Sequence, residues 1–126
     1  MGGGKGPGLF SGTRGSGVNV RGQNFEIHQG RQNKHITGTN NHSQEVRQGR
    51  TPSRLTTDAH NLFREFAGRG ERKSPNREVV DAGRTIGQFF CTKRQQFFET
   101  TRFTIHYDSR GNAHIVPSMP SWMMPQ

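Results

Sequence analysis

The stretch RFTIHYDSRGNAHIVP, residues 102–117, constrains the fold more than any other part of the chain. Two runs of alternating apolar and polar residues flank DSRGN, where Gly111 can take the positive-φ position of a three-residue hairpin loop with a bulge. With Ser109–Gly111 as the loop, Asp108 pairs with Asn112 and the register follows two by two. Tyr107 then faces Ala113, His106 faces His114, Ile105 faces Ile115 and Thr104 faces Val116. Side chains alternate across a strand, so Phe103, Ile105, Tyr107, Ala113 and Ile115 share one face. That face is the core. The other collects Arg102, Thr104, His106 and His114, with the two imidazoles directly opposite and their Cβ atoms roughly 4.5–5.5 Å apart. A slip of one residue would throw His114 into the core, so the pattern selects its own register.

Little else is available for a core. Leu, Ile, Val and Phe supply 23 of 126 residues, nine of them Phe. That is just under the level at which high charge begins to suggest disorder. Lys and Arg number 18 against nine Asp and Glu, a net charge of +9, and 14 of the cations are Arg. Such a surplus points to a polyanion or an acidic protein partner. No apolar run approaches a membrane span, and the Gly-rich start lacks the hydrophobic stretch of a signal peptide. The single cysteine, Cys91, excludes an intramolecular disulfide and a Cys-cluster zinc site. It reads as a small buried hydrophobe.

Nine of the 17 glycines fall within residues 1–22, which read as a flexible linker ahead of one folded domain, 23–126. Structure is expected from near Phe25. Asn41 as N-cap, with Gln44 three residues on, predicts a helix over His42–Gln48 ended by Gly49. Asp58 caps a stronger helix in which Leu55, Ala59, Leu62, Phe63 and Phe66 recur at helical spacing before Gly68 and Gly70. A polar loop, GRGERKSPNR, follows. Val79–Val80, Thr85–Phe90, Arg102–Asp108 and Ala113–Pro117 read as strands. Helices first and antiparallel strands second imply an α+β domain, short N-terminal helices packed on a small antiparallel sheet. Met119, Trp122, Met123 and Met124 in the tail read as cover for the core edge.

Two imidazoles beside an arginine and a hydroxyl suit cleavage of RNA by its own 2′-hydroxyl. One histidine takes the hydroxyl proton, another protonates the leaving 5′-oxygen, and a cation stabilises the charge growing on phosphate. An ordinary imidazole value near 6.5 lets each hold its required state close to neutrality. The alternative is that His106 and His114 merely occupy the solvent face of a hairpin. His35 lies in the polar loop GRQNKHITGTNN beside Lys34. There Asn40 and its neighbours could hold a phosphate or base, or simply form a capped turn. His28, His42 and His60 read as structural or solvated. Motifs of zinc nucleobase deaminases, HExxH proteases, Walker A loops and GxSxG hydrolases are absent, and unclustered carboxylates argue against a two-metal nuclease.

The stretches GRQNKHITGTNN, TPSRLTTDAHNLFREFAGRG, REVVDAGRTIG and TTRFTIHYDSRGNAHIVP together resemble the polymorphic toxin type 50 domain, over roughly Phe25 to Pro117. Such domains end large bacterial toxins, including contact-dependent and phage-associated ones. The resemblance implies a ribonuclease of the barnase/EndoU/colicin/RelE-like fold that needs no cofactor or metal. It puts functional weight on Lys34, His35, His106 and His114, with Thr101, Arg102 and Thr104 as close candidates; Thr104 is expected to join the catalytic group, and Thr101, Arg102, Arg84 and Asn40 to bind substrate. It further implies an RNA substrate (tRNA, rRNA or mRNA), a cognate acidic immunity protein, and a larger carrier N-terminal to the domain. Action would then be in the target-cell cytoplasm. One segment departs from the family's pattern: Phe89–Phe98 is rich in Phe and Gln where a more polar loop is expected, which bears on the shape of the substrate groove. Two other readings use the same charge: a non-catalytic nucleic-acid-binding module, and an interaction domain for an acidic protein.

Overall fold

In the computed structural model, residues 17–124 are described. The described residues run through nine strands and three short helices to a 3-10 turn at Ser121–Met123. Strands take 38% of the described residues and helices 22%. This corrects the expected architecture of N-terminal helices on a small antiparallel sheet, and with it the barnase/EndoU/colicin/RelE-like assignment. The described residues begin with strands, β1 (Val18–Val20) and β2 (Gln23–Ile27). Helices α1 (Gln29–Asn33) and α2 (Asn40–Arg47) then lead to β3 (Arg54–Leu55) and α3 (Ala59–Phe66). Six strands complete the chain: β4 (Glu71–Ser74), β5 (Arg77–Asp81), β6 (Gly87–Cys91), β7 (Gln96–Thr100), β8 (Arg102–Tyr107) and β9 (Asn112–Pro117). A curled six-stranded sheet has the order β1-β2-β9-β8-β5-β4, and a three-stranded sheet the order β3-β6-β7. The β2–β9 pairing is parallel. The Gly-rich leader lies, up to residue 16, outside the described residues, while its end is strand β1, whose Val20 is buried.

The hairpin has the register its alternation dictates: Tyr107 opposite Ala113, His106 opposite His114, Ile105 opposite Ile115. Gly111 takes φ +86° in the loop. Phe103, Ile105, Ala113 and Ile115 are fully buried, and α3 lays Leu62 and Phe63 into the same cluster. Asp58 caps α3 by accepting from the backbone N–H groups of His60 and Asn61. The cap of α2 differs from expectation. Thr39, not Asn41, accepts from His42 N, so the helix starts two residues earlier than predicted. The loop GRGERKSPNR holds an edge strand, β4, paired with β5 across a bulge. Its two sides carry only polar residues, so no hydrophobic alternation announces it. Trp122 is 64% exposed and does not cover the core edge.

Strand β2 ends at Ile27, opposite Ala113, leaving the outer edge of β9 at Ile115 without a partner strand. Gln32 of α1 replaces the missing strand. Its Nε2 donates to Ile115 O at 2.8 Å, and its Oε1 accepts from Ile115 N at 2.7 Å. The amide is completely buried, and it fixes the helix that leads to His35. Substituting Gln32→Met keeps side-chain length but orphans two buried backbone groups, each worth about 1–3 kcal/mol. The expected loss is therefore about 2–6 kcal/mol in denaturant unfolding. A change below about 0.5 kcal/mol, the usual range for an inconsequential surface substitution, would show that the amide is not the edge cover.

Candidate functional site

Three imidazoles form a column on the polar face of the hairpin. His106 and His114 face each other across β8 and β9, their ring centroids 4.9 Å apart and their planes 14° from parallel. His35, two residues beyond α1, stacks on the far side of His114 at 6.4 Å and 8°. Its position follows from three tethers. Gln32 anchors α1 to β9, His35 O accepts from Leu55 N of β3 at 2.9 Å, and His35 Nδ1 lies 2.9 Å from Ser53 O. A carbonyl only accepts, so Nδ1 carries the proton and Nε2 is the basic atom of neutral His35.

Cations surround the column. Lys34 adjoins His35, Arg77 pairs in register with His106 across β5 and β8, and Arg31 lies near His114. Arg31 is itself held by Asp108, 2.7 Å from Nη1. The Asp108 carboxyl stays well below the carboxylate range because it accepts backbone N–H bonds at the turn, from Asn112 foremost, and the Arg31 bond. All three histidines are pushed down from the ordinary imidazole value, first by burial. For His35, the nearby Lys34 adds to this and the Ser53 carbonyl opposes it. For His106, Arg77 adds to burial. His114, between the other two rings, is lowered furthest, to about 4, by burial and then by His106 and His35. Its Nδ1 is buried without a hydrogen-bond partner among the described residues. The column is neutral at pH 7 in the empty protein and is framed by fixed positive charge. That arrangement favours an anion, whose arrival would raise the imidazoles back toward protonation.

The remaining expected site residues scatter. Thr104 shares the histidine face, and its Oγ1 lies 2.6 Å from Ser118 Oγ. Arg102 is further along β8 and donates to Met119 O at 2.9 Å, which ties it to the C-terminal segment. Thr101 sits at the β7–β8 corner, where its carbonyl accepts from Ala82 N. Arg84 pairs with Glu65 of α3 at 2.8 Å, both side chains half exposed. Asn40 is the first residue of α2. The structure thus brings together His35, His106, His114 and Lys34, and adds Arg31, Arg77 and Ser53. Arg77 was within reach of the sequence: extending the Val79–Val80 strand by two residues puts it on the polar face. Ser53 contributes only a carbonyl and leaves no side-chain signal. Among the described residues, no group of three or more His, Cys, Asp or Glu is arranged to hold a metal ion.

The lowered histidines have a consequence for stability. Between about pH 6.5 and pH 4 the unfolded chain binds a proton at position 114 that the folded chain refuses. Stability must therefore fall as pH falls through that window, with His35 and His106 acting in the same direction. Thermal melts should show the parent losing stability on acidification, and His114→Gln losing less. Parallel curves for the two proteins would mean that His114 is not held neutral by the fold.

No curated protein and no solved structure matches the chain. A sequence model of the family described as bacterial toxin 50 matches residues 27–117. That span runs from the last residue of β2 to the last of β9, and so contains all three stacked histidines and the cations around them. By that match the chain belongs to the bacterial toxin 50 family.

Proposed function

We propose that this toxin domain is a metal-independent endoribonuclease that cleaves RNA by 2′-hydroxyl attack, leaving a 2′,3′-cyclic phosphate. The observation that carries the reading is the column itself: imidazoles from α1's end and from the hairpin, far apart in sequence, stack within an arginine and lysine frame. His35 suits the general base, because its proton is committed to the Ser53 carbonyl and Nε2 is free to accept. His106 suits the general acid, since it stands at the outer end of the column beside Arg77. A bound phosphate would favour its charged form. His114, the most strongly held neutral, offers a hydrogen bond to the phosphate between them. Arg31, Lys34 and Arg77 stabilise charge developing on the phosphoryl oxygens. Family membership suggests a cognate immunity partner and is consistent with delivery in a larger protein; an acidic immunity protein would match the net charge of +9. Among the described residues no helix is long and apolar enough to cross a membrane.

Incubating the purified chain with RNA and a chelator tests this directly, with discrete fragments ending in cyclic phosphate as the expected product. His35→Ala, His106→Ala and His114→Ala should each lose about 10²–10⁴-fold in rate. Combined variants should be little worse than single ones, because groups acting as a unit are non-additive. His60→Ala, whose imidazole pairs with Gln29 outside the column, should cut like the parent. Parental rates in both hairpin variants would leave only a basic nucleic-acid-binding domain. In the free protein the base loses activity as pH falls through its lowered value. The acid loses it as pH rises through its own. The kcat/KM optimum should therefore lie on the acid side of the ordinary imidazole value, about 6.5. The kcat optimum should lie higher, once substrate phosphate is bound.

A further inference from the structure

The small sheet carries a surface that neither the core nor the histidine column uses. In the β6–β7 hairpin Phe90 is opposite Phe97, and Phe89 is opposite Phe98. Alternation sends Gly87, Cys91 and Thr100 inward, where all are buried. It leaves Phe90 and Phe97 on the outward side with Gln88, Glu99 and, from β3, Arg54. Phe90 and Phe97 meet edge to face at 5.1 Å. The Arg54 guanidinium lies 3.6 Å from the centre of the Phe97 ring, and its Nη2 is held by Gln88. Neither ring joins the core cluster or packs against it, and both are partly exposed. Lys93 and Arg94 are exposed at the hairpin tip, the Arg94 guanidinium 5.7 Å from the Phe98 ring on the opposite side, and Glu99 is the acid on this face.

One residue joins this surface to the column. Ser53 Oγ accepts from Phe90 N at 3.0 Å, while Ser53 O holds His35 Nδ1 at 2.9 Å. Flat rings backed by a guanidinium are the parts from which proteins build platforms for unpaired bases, since every base has a π face and every nucleotide a charge. We propose that Phe90 and Phe97, with Arg54, form a base-stacking subsite that holds an unpaired nucleotide of single-stranded RNA beside the phosphate at the histidine column. The placement of that phosphate rests on the ribonuclease reading; the stacking of an unpaired base does not.

Fluorescence anisotropy of a labelled decauridylate with the full chain carrying His106→Ala measures binding without cleavage. Adding Phe90→Ala or Phe97→Ala should weaken single-strand binding by about 5- to 150-fold each. Phe97→Leu, which keeps apolar volume, should lose affinity like Phe97→Ala, and Phe97→Tyr should restore it. An RNA duplex of the same length should bind equally to parent and variants. In the chain with its histidines intact, Phe97→Ala should lower kcat/KM on the decanucleotide by the same factor. Loss of single-strand affinity in a protein that cuts nothing would refute the ribonuclease and keep the subsite. Unchanged single-strand affinity in Phe97→Ala, or equal losses on single strand and duplex, would overturn the subsite and leave the rings as a surface for a protein partner.

Discussion

An interior strand with one unsatisfied edge is the constraint around which this domain is arranged. Strand β9 lies between β2 and β8, but β2 stops short and exposes Ile115 N and O on a residue that is itself fully buried. Buried backbone groups without partners are costly, so something must complete the ladder. A glutamine amide has a donor and an acceptor at the spacing of a strand's own peptide group, and Gln32 supplies both. Satisfying the edge with a side chain, instead of another strand, lets the chain turn into α1 at that point. His35 then arrives beside His114 as a geometric by-product of closing the sheet. The site and the seam that Gln32 closes are the same place.

The electrostatic design is one of withheld charge. A chain with net charge +9 would be expected to hold cationic histidines reluctantly, and burial together with Arg31, Lys34 and Arg77 makes that reluctance strong. Because the imidazoles are close and mutually depressing, their proton affinities belong to the cluster and not to any one ring. A polyanion changes the balance for all three at once. Fixed arginines would supply the attraction, and a docked negative group would raise all three rings toward protonation.

How much of this was legible depended on whether a residue's role leaves a pattern. The hairpin could be read to the residue, since one binary alternation around a glycine turn determines both register and facing. Helix α3 could be read for the same reason at a different period, with Asp58 marking its start. Strand β4 could not, because an edge strand wet on both sides has nothing to alternate. Helix α1 is a single turn capped by His28, too short to show a period. Its decisive residue, Gln32, sits in sequence among other polar residues that do nothing comparable. His35 and the hairpin histidines were named from local chemistry and from family resemblance. That they stack depended on the long-range clamp, which no local pattern encodes. The fold class failed because the first strands, β1 and β2, are short and lie next to a glycine-rich stretch that reads as linker.

The parallel pairing of β2 with β9 joins the two ends of the domain, Ile27 beside Ala113. A contact spanning so much sequence forms late, since loop closure must precede any gain from it. During synthesis the strands that flank the sheet's centre are still inside the ribosome when β1 and β2 emerge, and β2 has nothing to pair with. Of the three stacked histidines, those at 106 and 114 are made last. A growing chain that has not yet reached β9 holds His35 without the hairpin histidines beside it. The topology therefore places assembly of the column after synthesis of the hairpin, because both β2 and β9 must be present before the sheet can close.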